Sequence, residues 1–445
     1  MMSNLVNAPV SQDALYHSAN STRPNIIFIL IDDMGWRELG AYGNRFNETP
    51  NIDRLAAEGL RFTQGYTAAP VCSPTRASLM TGQYPARIGI TDYLEIDDEH
   101  FLSPDYITLN ERLKSVGYVS GLVGKWHLMG DYQKRRGAPQ LHGFDEVIVS
   151  ETQYIGPGDY FHPYFFMPDV PARESPEYLT DRLNSEALDF IKRNRERPFF
   201  LFLSHYAVHT ELAAKPDLLP KYGRKPGVAK QQNNPTMAAM LESVDEGVGH
   251  IMRTLDAFGL SENTLIVFTS DNGGEIGVTT NAPLRAGKST LYEGGIRVPV
   301  IVRWPARIKP GTTDATPIIT ADYYPTFLQA AGVSADHSQV VDGVSLMPLF
   351  QGSGRLQRDT LYWHYPLAKP HFLGGPSSGA IRSGDFKLIE FYDTGKVELY
   401  NLRNDIGEQH DLAATMPEEV VELRRKLAAW RQQVGTDLTP MRPDK

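Results

Sequence analysis

The short stretch Val71–Arg76 (VCSPTR) contains the only cysteine in this chain of 445 residues. A lone cysteine is more often a small buried hydrophobic residue than a reactive one. Pro74, however, fits the first turn of a helix, and Gly82 can end that helix. Cys72 would then lie at a helix N-terminus, which favours negative charge, with Arg76 one helical turn away. The pattern therefore predicts a nucleophile with a guanidinium beside it.

Polar residues directly follow three apolar segments of the chain. They are Asp32 and Asp33 after the first, His205 and His209 after the second, and Asp271 and Asn272 after the third. One Asp-Asp pair alone is more often a turn or a helix cap. Ligand sites in open α/β sheets lie at the carboxyl ends of the strands, so we expect the three groups to meet in one crevice. Carboxylate and amide oxygens are hard ligands, which favours Ca2+, with Mg2+ as the second choice.

Two glycine-flanked segments supply further cationic groups. GLVGKWHLMG contains Lys125 and His127, and LRAGKSTLYEGGIRVP contains Lys288. Taken singly, each lysine could be an ordinary solvated side chain, and the histidine could be an ordinary packed one. Together with Arg76, His209 and one divalent cation, they would form a cationic cage that fits a tetrahedral oxyanion such as sulfate or phosphate.

Strand and helix patterns alternate along most of the chain. Continuous apolar runs, typical of buried parallel strands, lie at Asn25–Ile31, Pro198–Ser204, Leu265–Ser270 and Val298–Val302. Helical patterns lie at Asn51–Glu58, Thr108–Val116, Tyr178–Arg195, Met237–Ala257 and Tyr324–Ala331. We therefore predict an α/β domain with a mostly parallel central sheet flanked by helices.

The pattern changes after about residue 355. Two or three antiparallel strands are predicted there, with a hairpin turn at Asp393–Gly395 and a closing amphipathic helix at Pro417–Val434. We predict three parts: a polar leader at 1–22, an N-terminal catalytic domain at 23–355, and a smaller α+β C-terminal subdomain at 356–445.

The composition is that of an ordinary globular protein, with 41% hydrophobic and 22% charged residues. The net charge of −9 argues against nucleic acid or an anionic membrane as a partner. A single cysteine excludes an intrachain disulfide, and no apolar run is long enough to span a membrane. The leader lacks the features of a signal peptide. We expect a periplasmic or secreted protein whose signal is absent from this sequence, with a cytoplasmic location as the alternative.

Several motifs in a fixed order resemble those of the type I, formylglycine-dependent sulfatases of the alkaline phosphatase superfamily. The motifs are CSPTRASLMTGQYPARIG, NIIFILIDDMGWRELGAYGN, GKWHLMG, VFTSDNGGE and GGIRVP, within roughly Pro24 to Asp411. The C-terminal segment with WHYP, GGPSSGAIR and DFKLIEFYDTGKVELYNL resembles bacterial exo-acting carbohydrate sulfatases. The resemblance implies sulfate removal from a sulfated mono- or oligosaccharide.

The resemblance also implies a role for each motif residue. Cys72 would be oxidised by a formylglycine-generating maturation enzyme, and a hydroxyl of the hydrated aldehyde would attack sulfur. Ca2+ would be bound by Asp32, Asp33, Asp271, Asn272 and residue 72. Arg76 and Lys125 would hold residue 72, Lys288 would contact the sulfate, His209 would protonate the leaving oxygen, and His127 would take the proton that expels sulfate from the diol.

The substrate-binding residues are less clearly marked. Around the leaving-group histidine the sequence is SHYAVHTEL, without the flanking Asn and Pro that are common in the family. We expect the mouth of the site to include His205, Tyr160, His162, His364 and Arg382. Ser150 is a further possible sulfate contact. Two alternatives stay open: a phosphonate monoester or phosphodiester hydrolase of the same superfamily, and a non-catalytic relative that binds sulfated glycans.

Overall fold

The computed structural model describes residues 23–153, 160–228, 230, 233–333, 338–352 and 354–443. The predicted leader at 1–22 lies outside these residues. The strands are β1 Asn25–Ile31, β2 Leu60–Tyr66, β3 Val119–Gly124, β4 Glu146–Ile148, β5 Phe199–Ser204, β6 Thr264–Ser270, β7 Arg297–Arg303, β8 Thr312–Asp314, β9 Ile318–Ile319, β10 Thr360–Tyr365, β11 Ser378–Ser383, β12 Phe386–Phe391 and β13 Val397–Asn401.

Helices connect most of these strands. The α-helices are α1 Pro50–Ala57, α2 Cys72–Thr81, α3 Pro85–Ile88, α4 Leu109–Lys114, α5 Leu179–Asn194, α6 Leu219–Gly223, α7 Pro235–Ala257, α8 Glu293–Ile296, α9 Tyr323–Ala330, α10 Met347–Phe350 and α11 Pro417–Val434. Short 3-10 turns lie at Gly40–Tyr42, Pro139–His142, Ser261–Asn263 and Thr320–Asp322. None of the helices in the described ranges has the length and apolar content needed to cross a bilayer.

The large sheet has the strand order β4-β3-β5-β1-β6-β7-β2-β8, with β9 pairing β2. β4, β3, β5, β1 and β6 are parallel to their neighbours, so the predicted mostly parallel α/β fold is confirmed. β7 is an exception, because it pairs antiparallel with both β6 and β2. The expectation of a parallel strand at Val298–Val302 was therefore wrong. An apolar run reports burial on both faces and says nothing about direction.

Two helical layers cover the two faces of this sheet. Along β1, Ile27, Ile29 and Ile31 contribute to one apolar cluster, which also contains side chains of α1, α5 and α7. The alternate β1 residues Ile26 and Phe28 contribute to the opposite cluster, with α2, α4 and α9. The strand is apolar throughout because each face meets a helical layer.

The second sheet is antiparallel, in the order β10-β11-β12-β13, and α11 packs on it. The predicted turn at 393–395 joins β12 to β13, and α11 has the predicted bounds. A third apolar cluster joins Leu388 and Leu399 of this sheet to Trp430 of α11 and to Tyr66 and Ile296 from the large sheet region. The C-terminal sheet is therefore packed directly against the part of the chain that follows Lys288.

Candidate active site

Four parallel strands of the large sheet, β3, β5, β1 and β6, end side by side. The residues that follow them are tied to neighbouring strands by backbone hydrogen bonds. The Lys125 N–H donates to the Ser204 carbonyl at 2.8 Å, and the Asp271 N–H donates to the Ile31 carbonyl at 3.1 Å. The polar side chains after these strands therefore meet at one edge of the sheet.

Cys72 is the first residue of α2. Val71 before it is extended, with φ −144° and ψ 164°, and Gly82 ends the helix in the left-handed region at φ 70°. Cys72 is 3% exposed. Burial raises the pKa of its thiol to about 11, although Lys125 and Lys288 act to lower it. A thiol with this pKa is protonated at neutral pH and is a weak nucleophile.

Arg76 is completely buried one turn further along α2. Its guanidinium donates to Asp271 Oδ2 from Nε at 3.0 Å and from Nη2 at 2.6 Å. Nη1 donates to the Lys125 carbonyl at 3.0 Å and to Ser204 Oγ at 2.6 Å. Arg76 therefore fixes the start of α2 to the ends of three strands.

Each of the two consecutive aspartates after β1 binds a lysine. Lys125 Nζ lies 2.5 Å from Asp32 Oδ2, and Lys288 Nζ lies 2.7 Å from Asp33 Oδ2. Burial, together with the negative charge of Asp271, raises the pKa of Asp32 to about 8. Burial acts to raise the pKa of Asp33, but Lys288, His209 and Lys125 together outweigh it and hold that pKa below its usual range. The two aspartates are therefore held by different lysines, and their pKa values are shifted in opposite directions.

The cluster contains buried oxygens that could hold a cation. Among the described residues, Asp32 Oδ1 and Asn272 Oδ1 are buried and have no hydrogen-bond partner. One potential ligand atom from each of Asp32, Cys72 and Asp271 lies within 4.8 Å of the others. Unpaired buried oxygens are costly, and a hard divalent cation would satisfy them. This donor set fits Ca2+, which would also reduce the repulsion between Asp32 and Asp271.

Two histidines beside the cluster are held in opposite tautomers. His209 Nδ1 lies 2.5 Å from the Thr210 carbonyl, which can only accept, so Nδ1 carries the proton and Nε2 lies 3.9 Å from Asp33 Oδ2. His127 Nε2 lies 3.1 Å from the Leu94 carbonyl, so its Nδ1 is unprotonated, and it is buried without a partner among the described residues. Burial lowers the pKa of His209 to about 3 and lowers that of His127 as well.

Residues 24–333, about two thirds of the chain, match the sulfatase family. The chain belongs to the sulfatase family. Residues 286–433 also match the C-terminal region of N-sulphoglucosamine sulphohydrolase. The second match spans the C-terminal sheet and α11 and begins two residues before Lys288.

Individual relatives of this sulfatase agree with that assignment. A sulfatase of Formosa agariphila is 30% identical over 92% of this chain and 88% of the relative. The steryl-sulfatase of Rattus norvegicus is 34% identical over 77% of this chain and 73% of the relative. Among solved structures, Ps i-CgsB in complex with k-i-k-neocarrahexaose has a TM-score of 0.80 and 32% identity, covering 92% of this chain and 93% of that one. The protein is a sulfuric ester hydrolase.

Three of the expected substrate contacts lie behind or beside the cluster. Tyr160 is buried, and its hydroxyl donates to the carbonyls of Tyr206 and His209 at 2.7 and 2.8 Å, so it braces the His209 loop. His205 is buried in the interior, and burial lowers its pKa to about 3. His162 Nε2 lies 3.0 Å from the Val170 carbonyl. Among the described residues, neither ring nitrogen of His205 has a hydrogen-bond partner.

His364 and Arg382, which we expected at the mouth of the site, lie in β10 and β11 of the second sheet. His364 Nδ1 lies 2.8 Å from the Tyr392 hydroxyl. Arg382 Nη1 donates to the Tyr66 hydroxyl at 2.5 Å, and Nη2 donates to Gln64. Both side chains stabilise the packing of the second sheet, because β10 and β11 turn them towards neighbouring elements.

Sequence reasoning did not identify the buried Glu151 as part of the site. Its carboxylate accepts the His127 N–H at 2.5 Å, the Trp126 N–H at 2.9 and 3.1 Å, and the Tyr206 hydroxyl at 3.0 Å. His127 has φ 54°, in the left-handed region that is unfavourable for its side chain. Glu151 therefore stabilises the strained turn that presents His127. Ser150 Oγ lies 3.3 Å from Glu151 Oε2. The available signal was an acidic residue two positions after the apolar run 147–149.

A buried ion cluster anchors the segment that carries Lys288. Lys387 Nζ lies 2.9 Å from Glu293 Oε1 and 2.9 Å from Glu408 Oε1. Glu293 Oε2 also lies 3.1 Å from Arg297 Nη1. Glu293 starts α8, five residues after Lys288, whereas Lys387 belongs to β12. The second sheet thus supplies the cation that holds the lysine loop in place.

Proposed function

We propose that this sulfatase removes sulfate from a sulfated carbohydrate, with formylglycine at residue 72 as its nucleophile and Ca2+ as its cation. The observation that carries the proposal is the placement of Cys72 within the buried cluster of acidic and cationic side chains. A buried thiol with a raised pKa is poorly suited to attack an ester, whereas the cluster suits a group that develops negative charge. Hydrated formylglycine would supply a hydroxyl nucleophile, and Ca2+ would stabilise charge on it.

The maturation step has to precede folding. Residues 72–76 are all buried, with Cys72 at 3% exposed and Arg76 at 0%. A maturation enzyme that reads Cys72, Pro74 and Arg76 can reach them only in an unfolded chain. After folding, Arg76 and Lys125 hold residue 72 in place.

The remaining side chains divide the work of ester cleavage. Lys288, with its charge close to Asp33 and Cys72, would bind a sulfate oxygen. His209 presents Nε2 to the cluster, and a bound anionic sulfate would raise its pKa, allowing it to protonate the leaving oxygen. His127, neutral with an unprotonated Nδ1, would accept a proton from residue 72 in the step that releases sulfate.

A carbohydrate substrate is favoured by the second sheet and by one structural neighbour. The C-terminal match to N-sulphoglucosamine sulphohydrolase covers residues 286–433. The solved structure of Ps i-CgsB contains k-i-k-neocarrahexaose and resembles this chain over nearly its whole length. We propose removal from a chain end or a small oligosaccharide, that is, exo action. The steryl-sulfatase relative makes a sterol sulfate the comparison substrate.

The test is co-expression with a formylglycine-generating enzyme, followed by two measurements. The mass of the tryptic peptide ending at Arg76 should show CHO in place of CH2–SH on the side chain of residue 72. Sulfate release should then be measured with sulfated galactose, N-acetylgalactosamine and glucosamine, with carrageenan oligosaccharides, and with a steryl sulfate, a phosphodiester and a phosphonate monoester.

We expect the matured protein to act on at least one sulfated sugar with the highest kcat/KM of the panel. A higher kcat/KM with the steryl sulfate would show that the substrate is a sterol sulfate and not a sulfated carbohydrate. A phosphodiester or phosphonate ester preferred by orders of magnitude would overturn the proposed reaction. Binding of sulfated sugar without turnover by fully converted protein would support the non-catalytic alternative instead.

A further inference from the structure

Three aromatic rings lie together outside the cluster of acidic and cationic side chains around Cys72. The rings of His371 and Phe372 have centroids 4.2 Å apart, and Tyr93 lies 5.4 Å from His371 and 6.3 Å from Phe372. Phe372 is 77% exposed, the most exposed large hydrophobic side chain among the described residues. His371 beneath it is only 7% exposed. We call Tyr93, His371 and Phe372 the aromatic platform.

A tight turn fixes the platform in place. The His371 N–H donates to the Gly375 carbonyl at 2.8 Å, and the Gly374 N–H donates back to the His371 carbonyl at 2.6 Å. The Leu373 N–H donates to His371 Nδ1 at 3.1 Å. The turn thus orients the imidazole and displays the Phe372 ring to solvent. An exposed aromatic ring on a structured turn can bind a partner with little loss of conformational entropy.

One side of the platform adjoins the segment that carries Lys288. Gly375, in the turn, packs so closely on residue 289 that a Cβ added there would lie 1.7 Å from the Ser289 carbonyl oxygen. Burial, together with the charge of Lys288, lowers the pKa of His371 to about 4. The platform therefore lies within electrostatic range of the lysine that we propose binds sulfate.

The other side adjoins residues 73 and 127. The N–H of Leu94, the residue after Tyr93, donates to Ser73 Oγ at 3.0 Å, one residue after the nucleophile position. The Leu94 carbonyl lies 3.1 Å from His127 Nε2. The turn that holds His371 and the backbone next to Tyr93 thus contact Ser289, beside Lys288, and His127. These contacts place the platform next to the proposed sulfate site.

The charges around the platform are already paired. The Arg442 guanidinium lies 4.9 Å from the centre of the Tyr93 ring. It also contacts Asp92, lies 3.0 Å from Glu95 and lies 3.5 Å from Asp98. Because three carboxylates compensate this arginine, it is poorly suited to bind a second sulfate. The platform therefore offers apolar ring faces next to an anion site.

We infer that the aromatic platform binds the sugar ring adjoining the sulfated one, through contact between the apolar face of that ring and Phe372. This inference rests on the proposed carbohydrate substrate. A cavity of about 220 Å3, lined by Tyr93, His371, Phe372 and Arg442, lies at the platform. Its small volume suits a single ring. The platform would thereby favour a disaccharide over a monosaccharide carrying the same sulfate.

The test compares two probes: the sulfated monosaccharide with the highest kcat/KM in the panel, and its disaccharide with one unsulfated sugar. We expect the wild-type protein to hydrolyse the disaccharide with the higher kcat/KM. Phe372→Ala should lower kcat/KM for the disaccharide by about five- to tenfold, mainly through KM, and leave the monosaccharide unchanged. Phe372→Trp should keep the preference, and its fluorescence should change on addition of the disaccharide.

Phe258→Ala is the matched control, because Phe258 is also exposed, at 37%, but lies at the end of α7. It should behave as wild type with both probes. Equal kcat/KM for both probes in the wild type would contradict sugar binding by the aromatic platform. A Phe372→Ala variant that keeps the disaccharide preference would contradict it as well. Failure of the wild type to release sulfate from either probe would instead contradict the proposed function.

Discussion

The Glu151 carboxylate accepts the backbone N–H of His127 at 2.5 Å, where His127 has φ 54°. The same carboxylate accepts the N–H of Trp126. Two backbone donors are therefore satisfied by one side chain inside a strained turn that begins at Lys125. The position of the proposed proton acceptor depends on a residue that would contact neither substrate nor cation.

Replacing Glu151 with glutamine should lower kcat by about tenfold and leave KM nearly unchanged. The glutamine amide keeps one accepting oxygen, but an NH2 group replaces the other. At least one of the donors that the Glu151 carboxylate satisfies in the wild type therefore loses its acceptor. Steady-state kinetics per formylglycine, with conversion measured by peptide mass, is the test.

Glu146→Gln is the control, since Glu146 lies in the same segment but pairs with Arg193 at the surface. A Glu151→Gln variant as active as Glu146→Gln would show that the turn keeps its shape without the carboxylate.

Calcium should stabilise the folded protein by binding the buried, unpaired oxygens of Asp32 and Asn272 in the active site. We expect Ca2+ to raise the Tm of chelator-treated protein by about 5 °C, since a ligand that binds only the folded state stabilises it. Asn272→Ala removes one buried oxygen without a partner and should abolish most of that rise. Thermal unfolding with and without Ca2+ measures both effects and does not depend on turnover.

Asn110→Ala removes another buried asparagine, on α4, whose Nδ2 donates to the His142 carbonyl at 2.6 Å. That variant should be less stable than wild type but should keep the full rise in Tm with Ca2+. The same rise in Asn272→Ala would argue against the proposed cation site.

The ends of the strands could be predicted because polar residues interrupt continuous apolar runs there. β1 has the predicted bounds, since an unbroken run of six apolar residues lies between Asn25 and Asp32. α2 could be predicted because Pro74 favours its first turn and Gly82 its end. These local signals were enough to place Asp32, Cys72 and Asp271 near one another.

Features that depend on distant partners could not be read in this way. The direction of β7 is set by its neighbours β2 and β6, about which its own apolar residues carry no information. His364 and Arg382 lie in aromatic and basic segments that suggested a substrate site, but the tertiary fold pairs them with Tyr392 and Tyr66. Tyr93 and Phe372 are 279 residues apart, so no short motif could have joined them.

Lys387→Met should destabilise the protein by about 3–5 kcal/mol, because Glu293 and Glu408 would remain buried without their shared cation. The effect would be measured as the free energy of unfolding in urea. Lys396→Met provides the contrast, since its side chain is 61% exposed beside Glu398 and an exposed ion pair contributes little to stability. Equal losses in both variants would contradict a structural role for the buried cluster.

Glu38 should make the wild type less stable as the pH rises from about 4.5 to about 7. Burial raises its pKa from 4.5 to about 7, despite hydrogen bonds from Thr279 at 2.5 Å and Asn47 at 2.8 Å. The folded state therefore holds the proton more tightly than the unfolded chain. Its stabilising contribution is complete below pH 4.5, declines up to pH 7 and is absent above it.

Glu38→Gln removes this titration and retains a side chain of the same size. Between pH 5 and pH 8, the wild type should lose about 2–3 kcal/mol more of its free energy of unfolding than the variant. Urea unfolding at both pH values gives the difference, and Glu196→Gln, at a side chain 85% exposed, is the surface control. Parallel behaviour of Glu38→Gln and wild type would mean that Glu38 ionises in the folded protein as readily as in the unfolded chain.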